Sequence, residues 1–263
     1  MIFAACRGGW PASLNKKTDK AALFTASSYL DNICESDAST VDGVSRDPKR
    51  MRAILQSYAR NVSTLSGNQT IIKDITANFG YISENTLSSY LNALNRLFVI
   101  DEIPAWSPAI RSASAIRASK KREFIDPSIA AAALKITPKI LMQDLNTFGF
   151  IFETLCIRDL KAYSAALGSE VFYYRDRHGL EADCVLRLDD GRYALIEFKL
   201  GGRYIEEGTE HLLTMLNLIR KNNKTEGAAK IREPDLLIVI TGGEMAYRRK
   251  DGVYIIPIGC LRE

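Results

Sequence analysis

The chain has 263 residues, 46% hydrophobic and 25% charged, which is enough apolar content for one large core or two ordinary ones and excludes disorder as its default state. Thirty-five Lys and Arg against thirty-one Asp and Glu leave a formal charge of +4, compatible with a polyanionic partner but ordinary for a soluble protein. Five scattered cysteines without a CxxC pair point to a reduced, cytoplasmic protein and away from zinc, and no run approaches the length of a membrane span.

The opening "MIFAACRGGW" is too short and too soon interrupted by Arg7 for a secretory signal. Residues 1–50 alternate polar stretches with short apolar clusters, and "SDASTVDGVSRDP" (Ser36 to Pro48) reads as a loop. From Met51 the spacing of Met51, Ile54, Leu55 and Tyr58 is helical.

Ile71, Ile72, Ile75 and Phe79 predict an amphipathic helix that Gly80 ends, and Ser83 then caps a second helix whose buried stripe is Leu87, Leu91, Leu94 and Leu97. Two helices joined by a tight glycine turn make a helix-turn-helix. In a winged-helix arrangement Ser83, Asn85, Thr86 and Ser89 face a DNA groove and "VIDEIPAW" returns as a strand or wing. The same pattern also suits a helical hairpin that serves only as scaffold. Composition turns small and basic over Ser107 to Phe124, where Arg117, Lys120, Lys121 and Arg122 either neutralise phosphates or form a solvated linker.

The stretch "EADCVLRLDDGRYALIEFKL" (Glu181 to Leu200) reads as a hairpin. A three-residue loop of Asp189, Asp190 and Gly191 sets Leu186 across from Ala194 and Cys184 across from Ile196, making one face apolar. On the other face it sets Asp183 opposite Glu197 and Glu181 opposite Lys199, roughly 4.5–5.5 Å apart at Cβ. Two facing carboxylates need a cation or proton between them. Magnesium or manganese fits, with Asp183, Glu197 and the Phe198 carbonyl as ligands. Lys199 then orients or deprotonates an attacking water and offsets charge growing on phosphorus, a set suited to phosphodiester hydrolysis. The bland alternative is a solvated sheet face with a Glu181–Lys199 ion pair.

Glu153 stands out in the apolar "FGFIFETLCIRDL", where a carboxylate is costly unless it meets a metal, a lysine or a water. It is either a further catalytic acid or a glutamate pointing to solvent. Beyond Leu200 come the helix "YIEEGTEHLLTMLNLIRKNN" and the strands "DLLIVIT" and "VYIIPIG", an order that predicts an α/β fold with a parallel crossover.

Glu153 on a helix, Asp183 on the second strand and Glu197-Phe198-Lys199 on the third resemble the PD-(D/E)xK nuclease superfamily. "RGGWP", the helix-turn-helix segment, "FIDPSIAAAAL", "FGFIFETL", "YYRDRHGLEADCVL" and "IEFK" resemble the DUF4143 family of AAA-type ATPase-linked proteins over nearly the whole chain. The resemblance implies a remnant following an ATPase core at 1–50, a mostly helical winged-helix-like domain at 51–115 and a restriction-endonuclease-like mixed sheet flanked by helices at 116–263. No GxxxxGK[ST] loop occurs, so no ATP site is visible, and no proline precedes Asp183. The function expected is a Mg²⁺- or Mn²⁺-dependent deoxyribonuclease, endo- or exonuclease, with DNA and an ATPase module as partners. The alternative is a non-catalytic DNA-binding or partner-binding module, or a remnant that only oligomerises.

Overall fold

The computed structural model describes residues 1–107, 118–176, 179–227 and 229–262, which fall into two compact units. The first comprises residues 1–102 and 121–155, the second residues 103–120 and 156–263.

The first unit is helical: α1 (Ile2–Arg7), α2 (Pro11–Leu14), α3 (Asp19–Asn32), α4 (Ala38–Thr40), α5 (Pro48–Arg60), α6 (Asn68–Phe79), α7 (Glu84–Arg96), α8 (Pro127–Ala133), α9 (Pro138–Gln143) and the first half of α10 (Leu145–Ser164). Three starts share one local rule. Asp47, Asp126 and Thr137 each accept a backbone N–H from the first turn, and each is followed by a proline whose missing N–H costs nothing at that position. Helices α1, α3 and α5 pack around α8, whose Ile129, Ala130 and Ala131 are buried. Residues 1–50, expected as a remnant following an ATPase core, share a core with the helices that follow.

The α6 and α7 expectations hold at both ends. Gly80, with φ 77°, closes α6, and Ser83 caps α7 by accepting the Thr86 N–H at 3.1 Å. "SDASTVDGVSRDP" is only partly loop, because a π-helical turn (Ile33–Asp37) and α4 occupy its start. Buried Arg46 anchors the remainder through Asp42, Ala38 and Ser89. "VIDEIPAW" forms no named strand. It makes isolated bridges only, Ile100 with Phe124 and Ala105 with Tyr173, so the described residues of this segment contain no wing hairpin.

The second unit holds a mixed six-stranded sheet in the order β1-β2-β3-β4-β6-β5: β1 (Glu170–Arg175), β2 (Glu181–Arg187), β3 (Tyr193–Lys199), β4 (Leu236–Thr241), β5 (Tyr247–Arg248) and β6 (Tyr254–Pro257). Strands β1, β2 and β3 run antiparallel, while β3, β4 and β6 are mutually parallel. Helix α11 (Tyr204–Lys224) is the crossover between β3 and β4 and lies over β2, β3 and β4. Its Leu212 and Met215 meet Val185, Leu195, Val239 and Ile255 in the core. An interior strand beneath a helix has no wet face, and Tyr193 through Phe198 are all buried. The short edge strand β5 was not foreseen.

Candidate functional site

The register of β2 against β3 pairs Cys184 with Ile196 and Leu186 with Ala194, as the apolar face requires. The loop is the three-residue one: the Leu188 N–H donates to the Arg192 carbonyl at 2.8 Å, and Gly191 takes the left-handed position at φ 84°. Past Cys184 the Asp183 carboxylate enters the ladder, its Oδ2 accepting the Phe198 N–H at 2.9 Å. Lys199 Nζ lies 2.7 Å from Glu197 Oε2 and 3.8 Å from Asp183 Oδ2. Asp183, Glu197 and Lys199 therefore meet at the carboxyl end of β3, and Thr241 at the end of β4 is the lateral neighbour of Lys199. The carboxyl edge of parallel strands is where open α/β sheets present their sites.

Glu197 is 1% exposed, and its Oε1 has no hydrogen-bond partner. Burial first, then the charge of Asp183, push its carboxyl up to about 8, against the pull of Lys199. Burial works against the Lys199 ammonium, but Asp183 and Glu197 outweigh it and hold the lysine well above its ordinary value. Lys199 is thus a cation with its charge committed to the two acids. Glu181 pairs differently from the cross-strand expectation: it faces Arg175 on β1, at 3.7 Å.

Two contributors come from α11. A Cβ on Gly208 would stand 3.1 Å from Lys199 Cε and 3.3 Å from Glu197 Cβ, so the helix rests directly on the site. One turn on, half-exposed His211 places Nδ1 3.7 Å from Glu197 Oε2. Neither was singled out in the sequence. The signal that could have found them is a glycine inside a helical pattern, which marks close approach, with a histidine three residues further on the same side.

Glu153 belongs to the first unit and meets a lysine, Lys121, in a short ion pair. It is not among the residues that the second unit gathers. Nor do Lys121 and Arg122 form an exposed phosphate-facing run, since both are buried. Arg122 donates to the Ser66 carbonyl at 2.6 Å and to Asn68 at 2.9 Å and stacks over Tyr58. A run of basic residues in sequence does not tell which ones fold inward. Lys120 is exposed, and Arg117 lies outside the described residues.

On α7, Asn85 is exposed, while Ser83 and Thr86 are half-buried and bonded to each other, Oγ to Oγ1, at 2.9 Å. Ser89 accepts from Arg46. Among the described residues no three His, Cys, Asp or Glu side chains form a metal cage. A divalent ion here would rest on Asp183 and Glu197, and the unpartnered Glu197 Oε1 suits such a ligand set.

The family described as Domain of unknown function (DUF8612) matches residues 2–140, more than half of the chain. The chain belongs to the DUF8612 family. Its second part, residues 148–261, matches the Domain of unknown function (DUF4143) and carries all of Asp183, Glu197, Lys199 and His211. The DUF4143 likeness, expected over nearly the whole length, is thereby confined to the C-terminal part. No curated protein and no solved structure matches the chain. No helix among the described residues is long and apolar enough to cross a membrane.

Proposed function

We propose that the DUF4143 part of this DUF8612-family chain is a nuclease-like domain of the PD-(D/E)xK, restriction-endonuclease-like type that hydrolyses DNA phosphodiester bonds with Mg²⁺ or Mn²⁺. The observation that carries the reading is the gathering of Asp183, Glu197 and Lys199 at the end of β3, with one buried Glu197 oxygen left without a partner. Asp183 and Glu197, with the Phe198 carbonyl, would hold the ion. When bound, it would polarise the scissile phosphate and lower the pKa of a water.

The protein's own part is electrostatic. Its raised pKa supports Lys199 as a donor and positive charge beside the oxyanion that grows on phosphorus, not as the base that takes the water's proton. Burial of Glu197 beneath α11 keeps water from screening that charge. Cytoplasmic location, a helix-turn-helix role for α6 and α7 in which Asn85 contacts DNA, and partnership with an ATPase belong to the same reading.

Linear and circular DNA incubated with the purified chain and Mg²⁺ or Mn²⁺, beside Lys199→Ala, test it. Cleavage by the parent and not by the variant supports the assignment, and equal activity in both removes it. One observation favours a non-catalytic module instead: Lys199 supplies a cation to both acids from within the fold. DNA binding that survives Asp183→Asn, with no metal dependence in thermal melts, would establish that alternative.

A further inference from the structure

When both are ionised, Asp183 and Glu197 place two negative charges on adjacent strands, and the fold answers their repulsion from within. Lys199 Nζ sits 2.7 Å from one carboxylate and 3.8 Å from the other, and its side chain is 18% exposed. The oxygens are unequally used. Glu197 Oε2 takes the ammonium and Asp183 Oδ2 takes the Phe198 N–H, whereas Glu197 Oε1 is buried without a hydrogen-bond partner.

A divalent ion on these carboxylates would lie within a few ångströms of the ammonium, where like charges in a site screened from water repel strongly. Both cations cannot hold the pair at full strength. Lysine is the movable one, because its charge rides on a flexible four-carbon stem, whereas the acids are fixed on their strands.

We propose that Lys199 is an exchangeable counter-ion: its ammonium holds the Asp183–Glu197 pair together in the metal-free protein and yields that place to a divalent cation, for which Glu197 Oε1 is the reserved oxygen. The inference rests on the metal-binding reading given above and adds its regulation. The domain folds without metal because lysine substitutes for it, and its affinity for metal is set by the cost of moving lysine aside. The lysine freed from the acids is then the charge available to the phosphate.

The test uses the full chain, Mn²⁺ alone as probe, and the variants Lys199→Met and Lys199→Gln, which keep the stem and drop the charge. Titration calorimetry and thermal melts with EDTA or Mn²⁺ are the readouts, and neither needs catalysis. In EDTA both variants should melt below the parent. Mn²⁺ should bind them about tenfold more tightly and raise their melting temperatures more than the parent's. A Lys199→Met chain that folds only with Mn²⁺ would express the same exchange in its strongest form.

Mn²⁺ binding of equal or lower affinity in both variants overturns the exchange while leaving the metal site standing. Absence of Mn²⁺ binding in the parent and both variants overturns the exchange together with the metal-dependent reading.

Discussion

Gly208 lies so close over Lys199 that a Cβ there would stand 3.1 Å from Lys199 Cε and 3.2 Å from its Cγ. A glycine inside a helix costs about 1 kcal/mol relative to alanine, and α11 accepts that cost to reach the sheet at the acids. Gly208→Ala should therefore change stability by less than about 1 kcal/mol, since gained helix propensity offsets crowding. By pushing the lysine it should lower DNA cleavage by about tenfold or more. Urea melts and cleavage rates on the same preparation check both halves. A variant more stable by the full propensity gain and equally active would show that the close approach is dispensable.

Glu197 links the site to pH. Its folded carboxyl stands near 8 where the ordinary value is 4.5, chiefly through burial and then through Asp183. The folded state therefore prefers the protonated acid. Its contribution to stability is fully present below about pH 4.5 and is lost as pH rises through about 8. In EDTA the parent should lose stability between pH 5 and 9 relative to Glu197→Gln, which cannot ionise, and parallel curves would refute the assignment. Metal needs the ionised form, so Mn²⁺ affinity should climb toward pH 8, with proton release visible as a dependence of the calorimetric heat on buffer.

The hairpin that sets the acids side by side turns on one residue. Gly191 has φ 84° and donates to the Leu188 carbonyl at 3.0 Å, and a Cβ there would meet open space. Gly191→Ala should cost about 1–2 kcal/mol from backbone strain alone. Because the added methyl touches nothing, metal affinity should stay unchanged. Chemical denaturation and Mn²⁺ titration separate the two effects.

That register was legible because β2 and β3 admit only one alignment that sets Cys184 and Leu186 on a common apolar face with Ile196 and Ala194, and Gly191 supplies the turn it needs; the irregularity that moves Ala182 to the Val185 side gave no sign in the sequence. Gly80 and Ser83 likewise announce a helix end and a helix start by local backbone chemistry. What stayed hidden depends on contacts distant in sequence. Nothing near Lys121 tells that it turns inward to Glu153, and nothing near Arg46 tells that it closes a loop onto Ser89. Lys199 was legible as a member of the site, but not as the cation that already occupies it.

In the first unit "RGGWP" and "FIDPS" make one clasp across more than a hundred residues. Gly9 donates its N–H to Asp126 Oδ2 at 2.9 Å, Asp126 Oδ1 caps α8 through the Ser128 N–H at 2.9 Å, and Trp10 Nε1 donates to Ser128 Oγ at 2.8 Å. Gly8, at φ 77°, passes so near that a Cβ would collide with Asp126, Ser128 and Trp10. Asp126→Ala leaves the Gly9 N–H and the first turn of α8 without their acceptor and should cost about 2–4 kcal/mol. Asp126→Asn keeps an acceptor oxygen for the cap and should cost about half as much. Gly8→Ala should be the worst of the three, because strain and collision add and neither α1 nor α8 has slack at that point. Urea denaturation of the three variants ranks them. An alanine at position 8 tolerated as well as Asp126→Asn would mean that the clasp is loose and that α1 docks on α8 by apolar contact alone.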